Sequence, residues 1–188
     1  HPYDQTFQDL QNQMGNISSQ HNYVKLHVNG VSWGIMHVEE HMSKEFLEKL
    51  GFKESLIIKF GNEDSWSYRR IAKNKYNSYK ISDPSLNVKV FGAKKYLKQD
   101  VYRKWYSYIS KEHIKKSNEL YDNKSFTKSL LLALTWNNTH TLHPSNSRYY
   151  FNPYTLILEP ITTDQGRWIP IEESIVVDNN YRNILSNQ

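Results

Sequence analysis

The chain has 188 residues, 38% hydrophobic and 23% charged, and carries a formal net charge of +5. These values predict a soluble, globular chain of one domain, and the lack of a long apolar run argues against a membrane span. The absence of cysteine excludes disulfides, thiolate catalysis and cysteine zinc sites. The basic residues from Lys89 to Lys128 are mixed with acids, which argues against nucleic acid as a partner.

The first third predicts a helix, a hairpin and a second helix. Apolar residues at helical spacing follow Pro2 and end at Gly15. The stretches "YVKLHV" and "VSWGIMHV" alternate apolar and polar residues on either side of Asn29-Gly30, which predicts a hairpin with both turn residues at positive φ. Ser43 is placed to cap a helix that stops at Gly51.

The stretch "SLIIKF" predicts a buried strand with Lys59 inside it. A buried ammonium is costly unless a carboxylate or a phosphate is its partner, so Lys59 is a candidate for phosphate binding. The alternative is that the side chain reaches solvent at a sheet edge. From residue 61 to 83 the chain is polar and predicts a loop or an insertion with weak helix.

The second half predicts helices followed by another hairpin. Helical periodicity covers "AKKYLKQDVYRKWYSYISKEHI" and "SFTKSLLLALTW", and the second of these is apolar enough to be a buried helix. "SRYYFN" and "LILEPI" flank Pro153-Tyr154-Thr155 as a hairpin. We therefore predict an α+β fold of two lobes, a sheet-rich lobe of about residues 1–82 and a helix-rich lobe of 83–188, with a cleft between them.

Asn146 and Asp164 bracket the second hairpin. Their oxygens are the hard ligands that Mg²⁺ prefers, although each residue type is also common in turns. The stretch "HVEEH" straddles the end of a strand, which disfavours a zinc site of the helical His-Glu-x-x-His kind. The chain contains no Gly-x-Ser-x-Gly elbow, Walker loop or dinucleotide fingerprint.

Two blocks of the sequence resemble the CotH kinase family, the spore-coat type of atypical protein kinase. "YVKLHVNGVSWGIMHVEEHMSKEFLEKLGF" is similar to the family's Asn-Gly hairpin, acidic pair and Lys-x-Phe-Leu helix. "THTLHPSNSRYYFNPYTLILEPITTD" is similar to its catalytic segment, in which an Asn precedes a Tyr-rich strand and a Glu-Pro-Ile strand leads to a metal-binding Asp. The blocks span Tyr23 to Asp164 around a variable middle.

The resemblance implies a kinase-like fold that binds ATP between two lobes and needs Mg²⁺. It implies that Lys59 contacts phosphate, that Glu40 or else Glu39 pairs with Lys59, and that Asn146 and Asp164 bind the metal. The family's candidate base is an Asp a few residues before the Asn, and the nearest residue here is His140, which either replaces it or is a loop histidine without a role. Gly166 stands where members often carry a second Asp.

We therefore expect an ATP- and Mg²⁺-dependent phosphotransferase acting on protein Ser/Thr, by phosphoryl or AMP transfer. One alternative is a catalytically silent nucleotide-binding or coat-assembly module with the same fold. Another is an interaction domain that uses its Tyr-rich surface without nucleotide. The missing initiator Met indicates a fragment or a processed product, and the resemblance alone suggests the spore coat, the cell envelope or secretion.

Overall fold

The computed structural model describes residues 2–61, 88–115, 117–142, 146–165 and 168. The strands are β1 (Ile17–Ser18), β2 (His21–Val28), β3 (Val31–Glu39), β4 (Ile57–Phe60), β5 (Val88–Val90), β6 (Arg148–Phe151) and β7 (Leu158–Thr162). The α-helices are α1 (Pro2–Gln13), α2 (Lys44–Lys49), α3 (Ala93–Tyr96), α4 (Asp100–Ile114) and α5 (Asn123–Thr135). Short 3₁₀ turns cover Asn118–Leu120 and His140–Leu142. In the part of the chain described, no helix is long and apolar enough to cross a membrane.

Among the described residues, five strands form one mixed sheet in the order β1-β7-β6-β4-β5, and β2 and β3 form a separate hairpin. β1 and β7 run parallel, and the other neighbours in this sheet are antiparallel. The fold is therefore α+β, as predicted. The sheet takes strands from both halves of the chain, and the predicted lobe boundary near residue 82 and the weak helix predicted between 61 and 83 lie outside the described residues.

The two faces of the sheet carry different cores. On one face, the strands pack against residues of α4 and the following 3₁₀ turn, in a cluster that includes Ile58, Tyr149, Phe151 and Ile109. On the other face, Ile57, Tyr150 and Ile161 pack with α2. Successive side chains along a strand point to opposite faces of the sheet, which separates the two clusters. Lys59 is two residues from Ile57 and therefore lies on the face that packs with α2.

Helices α1 and α5 form a third core beyond the sheet, in which Phe7 packs against Leu130. A buried polar contact also joins them, since Asn16 Nδ2 donates to Gln11 Oε1 at 2.6 Å and to Ser129 Oγ at 3.1 Å. The helix predicted to be buried, α5, buries Phe126, Leu130 and Ala133 but leaves Leu131 exposed. Leu132 and Leu134 of the same helix are partly buried against this core.

Local signals in the sequence are confirmed at the turns. Asn29 and Gly30 have φ of 50° and 81°, as the hairpin prediction requires. Ser43 Oγ accepts a hydrogen bond from the Phe46 N–H at the start of α2, and Gly51 follows the helix at φ 78°. A positive φ carries little steric cost for glycine and is tolerated by Asn, which is why these types stand there.

Glu159 of β7 provides a test of electrostatics in the sheet. Burial raises the pKa of its carboxyl above the usual range, although the hydrogen bond from Asn152 Nδ2, at 2.7 Å, opposes this. The folded chain therefore holds this proton more tightly than the unfolded chain, and the stability gained from it is present at low pH and lost as pH rises through the folded pKa. We expect Glu159→Gln to raise Tm at pH 7 and to match the parent below about pH 4.

Thermal melts of the parent and of Glu159→Gln from about pH 4 to about pH 7 measure the effect. Glu119→Gln, at an exposed position, is the control and is expected to show no pH-dependent difference. A variant that melts below the parent at pH 7 would mean that the charged carboxylate stabilises the sheet.

Candidate functional site

Three polar side chains meet at the end of the second hairpin. His140 begins a 3₁₀ turn, Asn146 precedes β6 and Asp164 follows β7. His140 Nε2 lies 3.2 Å from Asp164 Oδ2 and 3.0 Å from Asn146 Nδ2. Asn146 Nδ2 also donates to the His140 carbonyl oxygen at 3.0 Å. The structure therefore brings together the three residues singled out in the sequence for catalysis and metal binding.

The backbone beneath this triad is clamped by buried hydroxyls. Thr141 is fully buried, and its Oγ1 donates to the Thr163 carbonyl oxygen at 2.6 Å and accepts from the Thr163 N–H at 3.0 Å. Ser147 Oγ donates to the Thr141 carbonyl oxygen at 2.9 Å. Each of these buried residues is next in the chain to one of His140, Asn146 and Asp164. Their hydrogen bonds therefore fix the backbone positions of the triad residues.

Gln165 ties the same segment to two further elements. Its side chain is fully buried, its Oε1 accepts from the Thr141 N–H at 3.0 Å, and its Nε2 donates to the Asn138 carbonyl oxygen. Its backbone N–H donates to Asp4 Oδ1 of α1 at 3.1 Å. The residue beside it, Asp164, has a φ of 58° and leaves the strand direction at this point.

The triad has more neighbours at one nitrogen than that nitrogen can satisfy. In neutral imidazole, Nε2 either donates a proton to Asp164 or accepts one from Asn146, but it cannot do both. Whichever tautomer forms, one of the two contacts is unfavourable. When the proton is on Nε2, the contact with Asp164 is kept and Nδ1 carries a lone pair.

A cleft of about 500 Å³ opens beside Asp164. Its walls come from α1, the end of β3 and the edge of the sheet, and its charged lining consists of Asp4, Glu39, Glu40, Asp164 and Arg148. Four carboxylates and one guanidinium give the cleft lining a net negative charge, which favours the binding of a cation. An anion is expected to bind there together with a cation rather than alone. Arg148 lies against the ring of Phe91, 5.3 Å from its centroid, and its guanidinium donates to the Asn146 carbonyl oxygen.

Basic residues occupy neighbouring strands on the cleft face of the sheet. Lys59 of β4 is paired in register with Lys89 of β5. Ile57 and Ile58 of β4 are paired with Tyr150 and Tyr149 of β6, so Lys59 and Arg148 are the next residues along the two strands. Side chains of paired residues share a face, and like charges on one face are favourable where an anion binds between them.

The two glutamates after the first hairpin both line the cleft. Glu40 Oε1 forms an ion pair with Lys49 Nζ of α2 at 3.1 Å. Glu39 Oε1 accepts from Ser19 Oγ at 3.3 Å and lies 3.9 Å from His21 Nε2. The lysine that contacts Glu40 here is therefore Lys49, and a pairing of either acid with Lys59 stays a prediction.

Asn146 and Asp164 are the residues that could hold a magnesium ion, provided that the ion brings most of its own ligands. Among the described residues, no group of three or more His, Asp and Glu side chains is arranged to hold a metal ion. Mg²⁺ is often held by only one or two protein groups, with phosphates and waters as the rest. Because the Asn146 amide nitrogen faces His140, its oxygen is turned away from the ring, and the Asp164 side chain is 69% exposed. Neither the Asn146 amide oxygen nor the Asp164 carboxylate takes part in the hydrogen bonds among Thr141, Ser147 and Thr163.

No protein-family model matches the chain, and no curated protein shows significant similarity to it. A function for this chain is therefore inferred from the geometry of the cleft and from the two sequence blocks.

Three residues that contribute to the site, Arg148, Thr141 and Gln165, were not identified from the sequence. Arg148 is a charged residue within the apolar strand "RYYF", the same signal that drew attention to Lys59 in "IIKF". Thr141 and Gln165 carry no such signal, because buried hydroxyl and amide groups look like ordinary loop residues until the fold places them together. Gly166, the departure from the family pattern, lies outside the described residues.

Proposed function

We propose that the chain is an ATP- and Mg²⁺-dependent phosphotransferase of the CotH type, acting on protein Ser/Thr, with a kinase-like arrangement of two lobes around the cleft. The observation that carries this proposal is the meeting of His140, Asn146 and Asp164 beside a cleft that Asp164 and Arg148 line. An Asn and an Asp next to a basic group form a donor set for a metal-bound polyphosphate.

Each group has a role that follows from its chemistry. Asp164 and Asn146 would hold Mg²⁺, which when bound neutralises charge on the transferred phosphoryl group. Arg148 offers a planar guanidinium suited to phosphate oxygens, and Lys59 adds charge one strand away. Phosphoryl transfer depends mainly on positioning and charge neutralisation, and the buried clamp of Thr141, Ser147 and Thr163 supports the positioning.

His140 is the candidate for the proton acceptor. When Nε2 donates to Asp164, the proton sits on Nε2 and Nδ1 carries a lone pair. That nitrogen is then able to accept the proton of an incoming hydroxyl. The imidazole side chain is 55% exposed, so an acceptor side chain has room to reach it.

Lys59→Ala is expected to weaken ATP binding about tenfold with Mg²⁺ present, since one charge-assisted contact to phosphate contributes about 1.5–3 kcal/mol. Calorimetric titration of ATP measures the change. Lys104→Ala is the matched control, because Lys104 is exposed on α4, which packs on the opposite face of the sheet. Equal affinity in the parent and Lys59→Ala would remove this lysine from the site.

A catalytically silent nucleotide-binding module is the second candidate, and the replacement of the family's base by His140 favours it. Thermal stabilisation by ATP with Mg²⁺ tests both nucleotide-binding candidates against an interaction domain, since a ligand that binds only the folded state raises Tm. Transfer of labelled γ-phosphate then separates an active enzyme from a silent one. A chain that ATP with Mg²⁺ does not stabilise would contradict the proposed function in both forms.

A further inference from the structure

The β2–β3 hairpin exposes large apolar side chains. Val31, Trp33 and Ile35 are 62%, 61% and 74% exposed, and Val24, Met36 and Val38 are also exposed. Nothing in the described part of the chain covers them. Soluble domains rarely leave a contiguous apolar element in water unless it meets a partner.

The apolar residues lie on both faces of this hairpin. Val24 is paired with Met36 and Val28 with Val31, which places these side chains on one face. Lys25 is paired with Ile35, so Ile35 lies on the opposite face. Trp33 is the extra residue at the bulge opposite Leu26 and His27. A partner that docked on one face would leave the other face wet.

The hairpin carries no acidic side chain short of its last residue, Glu39. From Asn22 to Val38 the sequence contains no Asp or Glu, and its charged residue is Lys25. The net charge of the whole chain is +5. An anionic surface is therefore favoured over a neutral or cationic one.

The size of the hairpin argues against a second copy of the chain as its occupant. Strands of 8 and 9 residues give one face about 27 Å long and about 10 Å wide, roughly 270 Å². A standard interface needs about 800 Å² from each partner. A fluid layer that surrounds the tip on both sides avoids this limit.

We propose that the distal half of the β2–β3 hairpin inserts into the interface of an anionic membrane. Val31, Trp33 and Ile35 would lie at the boundary between headgroups and acyl chains, where Trp is well suited. Lys25 would remain among the headgroups. This is peripheral attachment, in which the chain lies on the bilayer and does not cross it, and it does not depend on phosphoryl transfer.

Co-sedimentation with unilamellar vesicles tests the proposal. Vesicles of phosphatidylcholine and phosphatidylglycerol at 3:1 are compared with vesicles of phosphatidylcholine alone. The parent is expected to bind the anionic vesicles. The double variant Trp33→Ser with Ile35→Ser is expected to bind about tenfold more weakly or worse, and Lys25→Glu about fivefold more weakly.

Tyr154→Ser is the matched control, because Tyr154 is 76% exposed on a different hairpin and its loss is expected to leave vesicle binding unchanged. Circular dichroism melts check that the hairpin variants fold. We expect them to fold because the replaced side chains are exposed. Equal binding by the parent and the double variant would overturn the proposal. So would self-association or capture of a protein that depends on Trp33 and Ile35 without any binding to vesicles.

Discussion

Replacing Asp164 with Asn is expected to lower the rate of γ-phosphoryl transfer by about 100-fold or more, because the proposed metal site would lose the charged ligand of the triad. The change also removes the charge next to His140 Nε2. The substitution keeps the shape of the side chain, and Asn tolerates the positive φ of this position at least as well as Asp. Transfer of labelled γ-phosphate to the chain itself and to a pool of Ser/Thr peptides measures the loss.

Asn146→Asp is the matched comparison. It keeps an oxygen ligand and adds a charge, so it should weaken Mg²⁺ binding less than Asp164→Asn does. Asp164→Asn should melt within a degree or two of the parent without nucleotide, since the Asp164 side chain is exposed. Asn146→Asp also loses the contacts of Nδ2 with His140, so its Tm should be the lower of the two. If Asp164→Asn binds Mg²⁺ and ATP as well as the parent and transfers phosphate at the same rate, Asp164 is not a metal ligand.

Thr141→Val is expected to destabilise the folded chain by about 2–4 kcal/mol. Valine has the shape of threonine but leaves the Thr163 carbonyl and N–H groups, now bound by Thr141 Oγ1, without a partner in a buried place. In a chain of this size, that loss corresponds to a fall in Tm of roughly 5–10 °C. Thermal unfolding followed by circular dichroism measures it.

Thr141→Ser is the control, because it keeps the hydroxyl and loses only a methyl group. Its cost should be smaller, about 1 kcal/mol. The two variants should also differ in nucleotide binding, since only Thr141→Val loosens the segment that carries Asp164. Equal Tm values for the two variants would show that the hydroxyl contributes nothing to the clamp.

The elements with strong local signals were predictable from the sequence. The hairpin at Asn29-Gly30, the cap at Ser43 and the second hairpin around Pro153 each follow from residue types whose backbone preferences act locally. The meeting of His140, Asn146 and Asp164 was also within reach, because Asn146 and Asp164 bracket two strands that pair as neighbours. Their roles in binding and catalysis stay predictions.

Features that depend on packing were not predictable. The sequence pattern of β2 and β3 is that of strands with one face on a core, yet the fold leaves both faces in water. The contact of Glu40 with Lys49 depends on how α2 docks, and no local pattern encodes it. The clamp formed by Thr141, Ser147 and Thr163 joins segments up to 22 residues apart, and its buried hydroxyls resemble those of any polar loop.

Asn146 and Asp164 are proposed to bind one metal ion together with a nucleotide. A crystal structure of the chain with Mg²⁺ and a non-hydrolysable ATP analogue tests it most directly. We expect one ion with an Asp164 carboxylate oxygen and the Asn146 amide oxygen each about 2.0–2.1 Å away, and phosphate oxygens within hydrogen-bonding distance of Arg148. A nucleotide bound elsewhere, or an ion that contacts neither Asn146 nor Asp164, would contradict the account.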